Sequence, residues 1–433
     1  MADTTEAEKL GAFIDASPSP FHAVANAQAE LERAGYAPLD PRSSWPDGPG
    51  RWYVARDGSL VAWQVPAEAA AEPSTPFRLV GAHTDSPNLR VKPQPDTGRA
   101  GWRQLGVEVY GGALLNSWLD RDLGLSGRVA VRSSQCSELA ELRLLLVAEP
   151  VARVPQLAIH LDRNVNDGLI LNRQAHLAPV WSLGDPEPGR FVRFLAERLD
   201  VPPASVAAWD LMFHDLTPSA LLGAEQELLA APRIDNLASC WAATGALTSA
   251  EETGDPRQVA VISLFDHEEV GSTSATGADG SMLAHVLERT VLARGGTGED
   301  HLRALAGSVC LSADGAHATH PNYVERHEPE HQIRVNAGPV LKVNSNQRYA
   351  TDAGTAAVFI RSCEAAGVGF QRFVTRSDLP CGSTIGPPTA ARTGIPTVDA
   401  GIAQLSMHSA RELCGADDPG AFRQVLRAFL GGG

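Results

Sequence analysis

The chain has 433 residues, of which 43% are hydrophobic and 20% are charged. One hydrophobic core stops growing near ~250–300 residues, so this length predicts more than one domain. The composition is that of a globular protein and excludes a disordered or collagen-like chain. The net charge of −15 would repel a phosphate backbone, so we expect no nucleic-acid partner.

The cellular compartment is indicated by the apolar runs and by the cysteines. The run Leu142–Val147 is far shorter than the ~18 residues of a membrane span, so we expect no membrane partner. The opening residues MADTTEAEKLGAF have neither a basic leader nor an apolar core, and no secretory signal is expected. The cysteines form no C-x-x-C pair, which predicts free thiols in the cytoplasm: Cys136, Cys240, Cys310, Cys363, Cys381 and Cys414.

The first half of the chain changes character along its length. Residues 5–35 have helical spacing with a break at Pro18-Ser19-Pro20, and the apolar run Phe77–Ala82 is typical of a strand. Alternating, glycine-punctuated residues from 101 to 131 predict antiparallel strands. Residues 186–230, including the stretch LLGAEQELLA, favour helices.

After Arg233, helical patterns alternate with short apolar runs, which predicts a largely parallel sheet covered on both faces. Helices are expected at about 236–250, 280–294 and 353–366, with a further one opening at Ser409. The expected strands are Val259–Phe265, Ser308–Leu311, and the segments GPVLKVN, GFQRFV and IPTVDAG.

Five segments with acidic or histidine side chains stand at strand ends or helix starts, where α/β sheets bind ligands. In the first, His83 and Asp85 point to the same strand face, so Asp85 can orient a metal-binding His83. The same pair also fits a hydrogen-bonded loop histidine. In the second, Asp235 precedes a helix, where it could bridge two metals or cap the helix.

The third segment, Asp266-His267-Glu268-Glu269, follows a strand of buried type. Its three acids repel one another unless a cation lies among them, although a solvated acidic turn is the alternative. The fourth is Asp314 after a strand, and the fifth is His408 before Ser409 and Glu412, whose spacing predicts a capping box. Either of these last two alone is typical of a structural role.

Together the segments supply two histidines and three carboxylates, enough for two metals that share a bridging carboxylate and a water. Glu268 remains as a general base. Imidazole and oxygen donors without thiolate favour Zn²⁺, Co²⁺ or Mn²⁺. The candidate ligands are His83, Asp235, Glu269, Asp314 and His408.

The ordered motifs from about residue 15 to 425 resemble the aspartyl aminopeptidases, a family of di-metal exopeptidases. The matching segments are GAHTDSPNLRVKP, YGGALLNSWLDRDLGLSGRV, LAIHLDRNVNDG, RIDNLAS, DHEEVGS, SADGAHATHPNY, GPVLKVNSNQRYATD, SDLPCGSTIGP and AQLSMHSARE.

The resemblance implies a three-layer α/β/α peptidase domain with a mixed, largely parallel sheet, formed by residues 1–93 and 229–433. Residues 94–228 would be an inserted, antiparallel β-rich dimerisation domain. The five candidate ligands would hold two divalent metals, most simply zinc, with Asp235 bridging and Asp85 supporting His83. A metal-bridged water would attack the first peptide bond, with Glu268 as general base.

The resemblance also implies an assembly and a specificity. Twelve subunits would form a tetrahedral homododecamer built from dimers, and His160 would enter the neighbouring subunit's active site. His160 or His317 would stabilise the oxyanion, the alternative for both being a structural histidine. Removal of N-terminal Asp or Glu from peptides needs a cation near the substrate side chain, for which Lys342 is the first candidate, with Arg348 and Tyr349 beside it.

The sequence leaves one further structural expectation and two alternative functions. Related di-metal peptidases lead us to expect a cis bond between Asp235 and Asn236. A broader aminopeptidase or deacylase of the same superfamily would share the metal site and differ in its substrate pocket. An inactive oligomeric shell or binding protein is disfavoured because every predicted ligand and Glu268 are present.

Overall fold

The computed structural model describes residues 4–132, 140–249 and 255–432. Contacts divide the chain into two units. The first unit comprises Met1–Asp85, Ser219–Met407 and Glu412–Gly433, and the second comprises Ser86–Pro218 and His408–Arg411. Cys136 lies outside the described residues.

A nine-stranded mixed sheet forms the centre of the first unit, in the order β1-β2-β3-β13-β4-β14-β18-β16-β17. Five of its eight neighbouring strand pairs are parallel, which confirms the predicted sheet type. The strands are β1 Ala37–Pro38, β2 Gly50–Arg56, β3 Ser59–Val65, β4 Phe77–His83, β13 Val259–Phe265, β14 Val309–Ala313, β16 Val340–Lys342, β17 Gln371–Phe373 and β18 Thr397–Gly401.

Helices cover both faces of this sheet because the side chains of its central strands alternate between two apolar cores. Val80 and Ala82 of β4 join the core on one face, whereas Phe77 and Leu79 join the core on the other. One face packs against α1 Thr4–Ala16, α2 Pro20–Arg33, α5 Ile234–Thr248, α8 Ala353–Ala366 and α10 Asp418–Leu430. The other packs against α3 Ala67–Ala70, α6 Met282–Ala293 and α7 Gly298–Ala306. The predicted three-layer architecture is therefore confirmed.

The first unit also holds a smaller sheet, ordered β11-β12-β20-β19-β15, and the short helix α9 Gly386–Thr393. The strands of the smaller sheet are β11 Ala220–Leu222, β12 Leu228–Ala231, β15 Ala316–His317, β19 Ala403–Leu405 and β20 Glu412–Gly415. Within the described part of the chain, no helix has the length and apolar character to cross a bilayer.

The second unit is built on a six-stranded antiparallel sheet in the order β8-β7-β10-β5-β6-β9. Its strands are β5 Asn88–Arg99, β6 Trp102–Tyr110, β7 Leu123–Val131, β8 Glu141–Ala152, β9 Val180–Leu183 and β10 Val206–Asp215. The helix α4, Arg190–Leu199, buries Phe191 and Leu195 in the core of this sheet. Glycine-punctuated alternation predicted antiparallel strands here, and the structure has them.

Three sequence expectations differ from the structure. LLGAEQELLA forms strands β11 and β12 rather than a helix, because its leucines pair across a tight turn. No helix opens at Ser409, since β20 begins at Glu412 and the Glu412 carboxylate accepts from the Asp235 N–H at 2.9 Å. The boundaries expected at 93/94 and 228/229 lie at 85/86 and 218/219, because β5 pairs within the second sheet and β11 within the smaller sheet.

Candidate metal centre

His83 is the last residue of β4, which runs parallel to β13 on one side and to β14 on the other. The carboxyl ends of these three strands therefore meet at the same edge of the sheet. Only 1% of His83 is exposed, and its Nε2 lies 3.4 Å from Asp235 Oδ1 and 3.6 Å from Asp314 Oδ2. The ring thus faces two carboxylates that come from distant segments of the chain.

The tautomer of His83 follows from its other nitrogen. His83 Nδ1 donates to the Asp85 carbonyl oxygen at 3.0 Å, and an Asp85 carboxylate oxygen lies 3.4 Å away. An Nδ1–H leaves Nε2 as the lone-pair nitrogen, which is the arrangement of a metal-binding histidine. Asp85 was expected to support His83 through its carboxylate, and in the structure its main-chain carbonyl makes the shorter contact.

The Asp85 carboxylate has a second role that sequence reasoning missed. It is completely buried, and its two oxygens accept from the backbone N–H groups of Glu268 and Glu269, each at 3.1 Å. Asp85 therefore fixes the turn that presents both glutamates. No local sequence pattern indicates this contact, because the partners are 183 and 184 residues apart and meet through the pairing of β4 with β13.

The turn after β13 places Glu268 and Glu269 at the sheet edge. His267 adopts a left-handed conformation (φ 67°), a short 3₁₀ turn spans Glu268–Val270, and Gly271 ends it in the same region (φ 95°). Glycine suits that last position because positive φ strains residues with a Cβ. Asp266 is buried rather than solvated, which argues against a simple acidic surface turn.

Asp235 and Asp314 are held from two sides. Asp235 and Asn236 have non-helical torsion angles within α5 (φ −79°, ψ 105° at Asp235), so the chain is kinked there and the regular helix begins after Asn236. The bond from Asp235 to Asn236 is cis, as expected. Asn236 Nδ2 donates to the carbonyl of Ala313 at 2.7 Å, directly before Asp314. This hydrogen bond links the residue after Asp235 to the residue before Asp314, and so connects the two predicted ligands.

The remaining predicted histidines belong to other elements of the fold. His408 belongs to the second unit, where its Nδ1 lies 3.2 Å from the Gly112 carbonyl and its own carbonyl accepts from Leu114 N–H at 3.0 Å. His160 is exposed in an irregular segment of the same unit. His317 ends β15 and is exposed, with its ring 6.2 Å from that of Phe373, so the buried structural alternative does not apply.

The donor atoms of the first unit fit divalent metals. Two sets have ligand atoms within 4.8 Å of one another: His83 with Asp235 and Asp314, and His83 with Glu268 and Glu269. Nitrogen and carboxylate oxygen donors at such separations suit zinc. The structure thus brings together four of the five predicted ligands, His83, Asp235, Glu269 and Asp314, with the predicted base Glu268 beside them.

The electrostatics of this cluster are dominated by its closely packed carboxylates. Burial and the negative charges of Asp314, Asp85 and Asp235 together raise the pKa of Glu268 to about 8, and His83 opposes that rise. Burial disfavours the charged ring of His83, yet its bonds to Asp235, Asp314 and Asp85 raise its pKa well above the ordinary value. Carboxylates this close together are stabilised by a cation, which also favours their ionised forms.

Lys342 brings one positive charge to the cluster from the end of β16. Its ammonium donates to Asp314 Oδ1 at 2.7 Å and to the Gly315 carbonyl at 2.9 Å, and it lies 4.9 Å from the ring centre of Tyr349. Lys342 is 1% exposed and Tyr349 is also buried, whereas Arg348 is exposed. Lys342 therefore contacts the predicted ligand Asp314, Tyr349 lies against Lys342, and Arg348 precedes Tyr349 in the chain.

Comparison with known proteins matches this chain to a peptidase family. The model of the M18 family, described as aminopeptidase I zinc metalloprotease, matches residues 13–430. A Streptomyces coelicolor protein named as a probable M18 family aminopeptidase 2 is 56% identical over 431 residues, covering 99% of this chain and 98% of that protein. This chain belongs to the M18 family. It is thus a zinc metalloaminopeptidase, and the resemblance to the aspartyl aminopeptidases is confirmed at the level of the family.

Solved structures agree with the M18 assignment. A chain in the cryo-EM structure of the Ape4 and Nbr1 complex has a TM-score of 0.94 and 34% identity, over 99% of this chain and 85% of that one. The mApe1 dodecamer of S. cerevisiae gives a TM-score of 0.83 and 28% identity, over 98% of this chain and 95% of that one. The M18 fold therefore extends over both units of this chain.

Asp85→Asn tests how the M18 site is held together. An amide keeps the size of the side chain but offers only one acceptor oxygen, so it cannot accept from both the Glu268 and Glu269 N–H groups. We expect zinc affinity of the apoprotein and kcat/KM to fall ~10- to 100-fold, the usual effect of removing an outer-shell partner. Zinc titration and steady-state kinetics measure the two quantities.

Asp96→Asn is the matched control for this variant. Asp96 also accepts from two backbone N–H groups, those of Gly189 at 2.9 Å and Phe191 at 3.0 Å, but within the second unit. We expect Asp96→Asn to leave zinc affinity unchanged. Equal losses of zinc affinity in both variants would contradict the role assigned to Asp85.

Proposed function

We propose that this chain is a two-zinc aminopeptidase that removes N-terminal Asp and Glu from peptides. The observation that carries the proposal is the placement of His83 Nε2 between Asp235 and Asp314, with Glu268 and Glu269 held over the same edge by Asp85. The M18 membership supports the reaction class, and the motif resemblance supports the acidic specificity. Five described cysteines are free thiols, which supports a cytoplasmic location.

We assign the metal ligands by the donor sets and by the resemblance. His83 and Asp314 would hold one ion and Glu269 and His408 the other, with Asp235 bridging the two. Zinc is the first choice, and Co²⁺ or Mn²⁺ suit the same donors. Bound in this way, the ions supply a water of lowered pKa and polarise the scissile carbonyl.

Side chains of the protein would transfer the proton and stabilise the reacting carbonyl of the substrate. Glu268 would accept the proton of the attacking water and pass it to the leaving amine, as a general base and then a general acid. The Asp85 carboxylate keeps Glu268 in place through its backbone N–H. His317 of the same chain, or His160 of a neighbouring subunit, would donate to the developing oxyanion. Asp85 is a positioning residue in this scheme, because it touches neither water nor substrate.

Glu268→Gln tests the proposed reaction. Glutamine matches the size of glutamate but cannot take a proton, so we expect kcat on an Asp-peptide to fall ~10²- to 10⁴-fold while the zinc content is unchanged. Chelation of the wild-type protein should abolish hydrolysis, and added zinc should restore it. Metal analysis and peptide hydrolysis give both readouts.

Glu299→Gln, an exposed acid on α7, is the control and should retain wild-type rates. Near-normal turnover by Glu268→Gln would remove the assignment of the base. Hydrolysis that survives complete removal of metal would remove the metallopeptidase mechanism.

Acidic specificity requires a cation beside the substrate side chain. Lys342 meets that need, because its ammonium has three donors and its hydrogen bonds within the described chain use two of them, on Asp314 and Gly315. Once Asp314 binds a metal, the charge of Lys342 is no longer needed to balance it. The third donor would then face a substrate carboxylate, with Tyr349 packing beside it and the exposed Arg348 assisting.

Lys342→Met tests this specificity through a ratio. The loss of the ammonium also disturbs Asp314, which slows every substrate, so the informative quantity is kcat/KM for Asp-peptide over Ala-peptide. We expect that ratio to fall at least ~10-fold, or about 1.4 kcal/mol. Lys92→Met, a lysine of the second unit, should leave the ratio unchanged.

A preserved preference for Asp over Ala in Lys342→Met would contradict the assignment. The wild-type protein should also be assayed on Leu- and N-acetyl-substrates. Faster release from these substrates than from Asp-peptides would identify a broader aminopeptidase or a deacylase with the same metal site.

Exposed apolar residues of the second unit support the proposed oligomer. Leu142, Leu144 and Leu146 are about half exposed on one face of β8, which is the last strand of its sheet. The segment around His160 carries further exposed side chains, with Leu157, Ile159 and Leu161 at 57%, 50% and 75%. Such rows on a sheet edge and loop mark protein–protein contacts. The mApe1 relative is a dodecamer, and we propose a tetrahedral dodecamer of dimers here.

Subunit mixing tests the proposed role of His160. His160→Ala and Glu268→Gln each leave every site incomplete, so either variant alone should be nearly inactive. A mixed dimer would have one complete site, made of Glu268 from one subunit and His160 from the other. Random pairing should therefore restore about a quarter of wild-type activity.

Recovery should be measured after dissociation and reassembly of equal amounts of the two proteins. Glu299→Gln mixed with Glu268→Gln is the control for dilution by inactive subunits. No recovery from an assembled mixture of His160→Ala and Glu268→Gln would contradict a contribution of His160 to its neighbour.

A further inference from the structure

Asp399 is a fully buried carboxylate in the central sheet that the proposed chemistry does not use. It lies on β18 directly opposite Lys342 on the antiparallel strand β16, so the two side chains occupy the same face of the sheet. Burial raises the pKa of Asp399, and the positive charge of Lys342 opposes that rise. Burying a carboxylate this deeply costs free energy unless hydrogen bonds or an opposite charge stabilise it.

The partners of Asp399 come from two loops. Its Oδ2 accepts from the backbone N–H of Ala350 at 2.6 Å, and its Oδ1 accepts from the Thr384 hydroxyl at 2.7 Å. Its own N–H donates to the Thr351 hydroxyl at 2.9 Å. One carboxylate therefore ties the loop 343–352, which follows β16, to the loop 374–385, which follows β17.

The close approach of Asp399 to the second loop also explains why position 386 is a glycine. A Cβ at Gly386 would lie 2.3 Å from an Asp399 carboxylate oxygen, far inside van der Waals contact. Gly386 begins α9 directly after the loop 374–385, so the carboxylate contacts that loop at both Thr384 and the start of the helix. This close fit leaves no room for a longer acid at position 399.

The loop 343–352 carries the residues assigned to substrate recognition. Arg348 and Tyr349 immediately precede Ala350, whose N–H Asp399 holds, and Lys342 immediately precedes the loop. Lys342 in turn holds Asp314. Asp399 thus holds the residue that follows Tyr349, and it faces Lys342, which contacts the proposed ligand Asp314.

We propose that Asp399 is a positioning residue for specificity, which holds the loops 343–352 and 374–385 in the arrangement that presents Lys342 and Tyr349 to the acidic side chain of the substrate. Asp399 acts through its hydrogen bonds to Ala350 and Thr384 and touches neither metal nor substrate. The inference rests on the proposed acidic aminopeptidase function and adds to it the residue that organises the pocket.

Asp399→Asn tests the proposal by separating binding from chemistry. An amide loses the negative charge opposite Lys342 and one of the two acceptor oxygens. We expect KM for an Asp-peptide to rise ~10-fold or more while kcat changes less than ~3-fold, the pattern of lost substrate binding. Zinc content should equal that of the wild type, because every assigned ligand is intact.

Hydrogen exchange gives a readout that does not depend on activity. The loops 343–352 and 374–385 should exchange faster in Asp399→Asn, and β4 and β13 should exchange at the wild-type rate. Thr384→Val removes the hydroxyl that donates to Asp399 and accepts from the Gly386 N–H, and it keeps the buried charge of Asp399. It should raise hydrogen exchange in the loop 374–385 and raise KM less than Asp399→Asn does. This second variant keeps the test valid if Asp399→Asn does not fold.

Asp418→Asn is the matched control. Asp418 is equally buried in the first unit and accepts from the Asn336 N–H at 2.7 Å, away from both loops. It should leave KM unchanged. An unchanged KM in Asp399→Asn, unchanged loop exchange, or the same rise in KM in Asp418→Asn would overturn the proposal. If the proposed function itself were wrong, the wild-type protein would show no preference for Asp- or Glu-peptides over other peptides.

Discussion

The buried negative charge around His83 is the constraint on which the site depends. Asp85, Asp235 and Asp314 are almost fully buried, and Glu268 and Glu269 lie over the same ring. Lys342 supplies a balancing charge on Asp314. Packing carboxylates this densely is costly unless a cation joins them, which agrees with membership of a zinc metalloprotease family.

The sheet makes this concentration possible. Because β4, β13 and β14 are adjacent and parallel, His83, the acidic turn and Asp314 leave the sheet at the same edge. The Asp85 carboxylate then links the end of β4 to the turn after β13. Further along the same sheet, β16 and β18 bring Lys342 opposite Asp399, so the residues proposed for substrate recognition and those proposed for metal binding lie on one continuous set of strands.

Much of this could be predicted from the sequence. The strand Val259–Phe265 and the helix at 353–366 have the predicted bounds, since their apolar periodicity and flanking residues agree with their tertiary positions. The segments that carry the predicted ligands were recognisable because each follows an apolar strand or precedes a helix, where α/β sheets bind ligands. The helix predicted for LLGAEQELLA was wrong, because a short apolar pattern does not distinguish a helix from a pair of strands.

The contacts that organise the site could not be predicted from local sequence patterns. Ser409 and Glu412 have the spacing of a helix cap, yet Glu412 accepts from Asp235, 177 residues away. The bonds from Glu268 and Glu269 to Asp85, and those of Asp399 to two separate loops, likewise join residues far apart in the chain. Such partners follow from strand order, which a single sequence without relatives does not specify.

The most direct test of the account is diffraction from zinc-loaded crystals at the zinc absorption edge. Two anomalous peaks per chain are expected, one of them ~2.0–2.2 Å from His83 Nε2 and an Asp314 oxygen, with Asp235 between the two. A crystal of active protein with no peak beside His83, Asp235 and Asp314 would contradict the central claim.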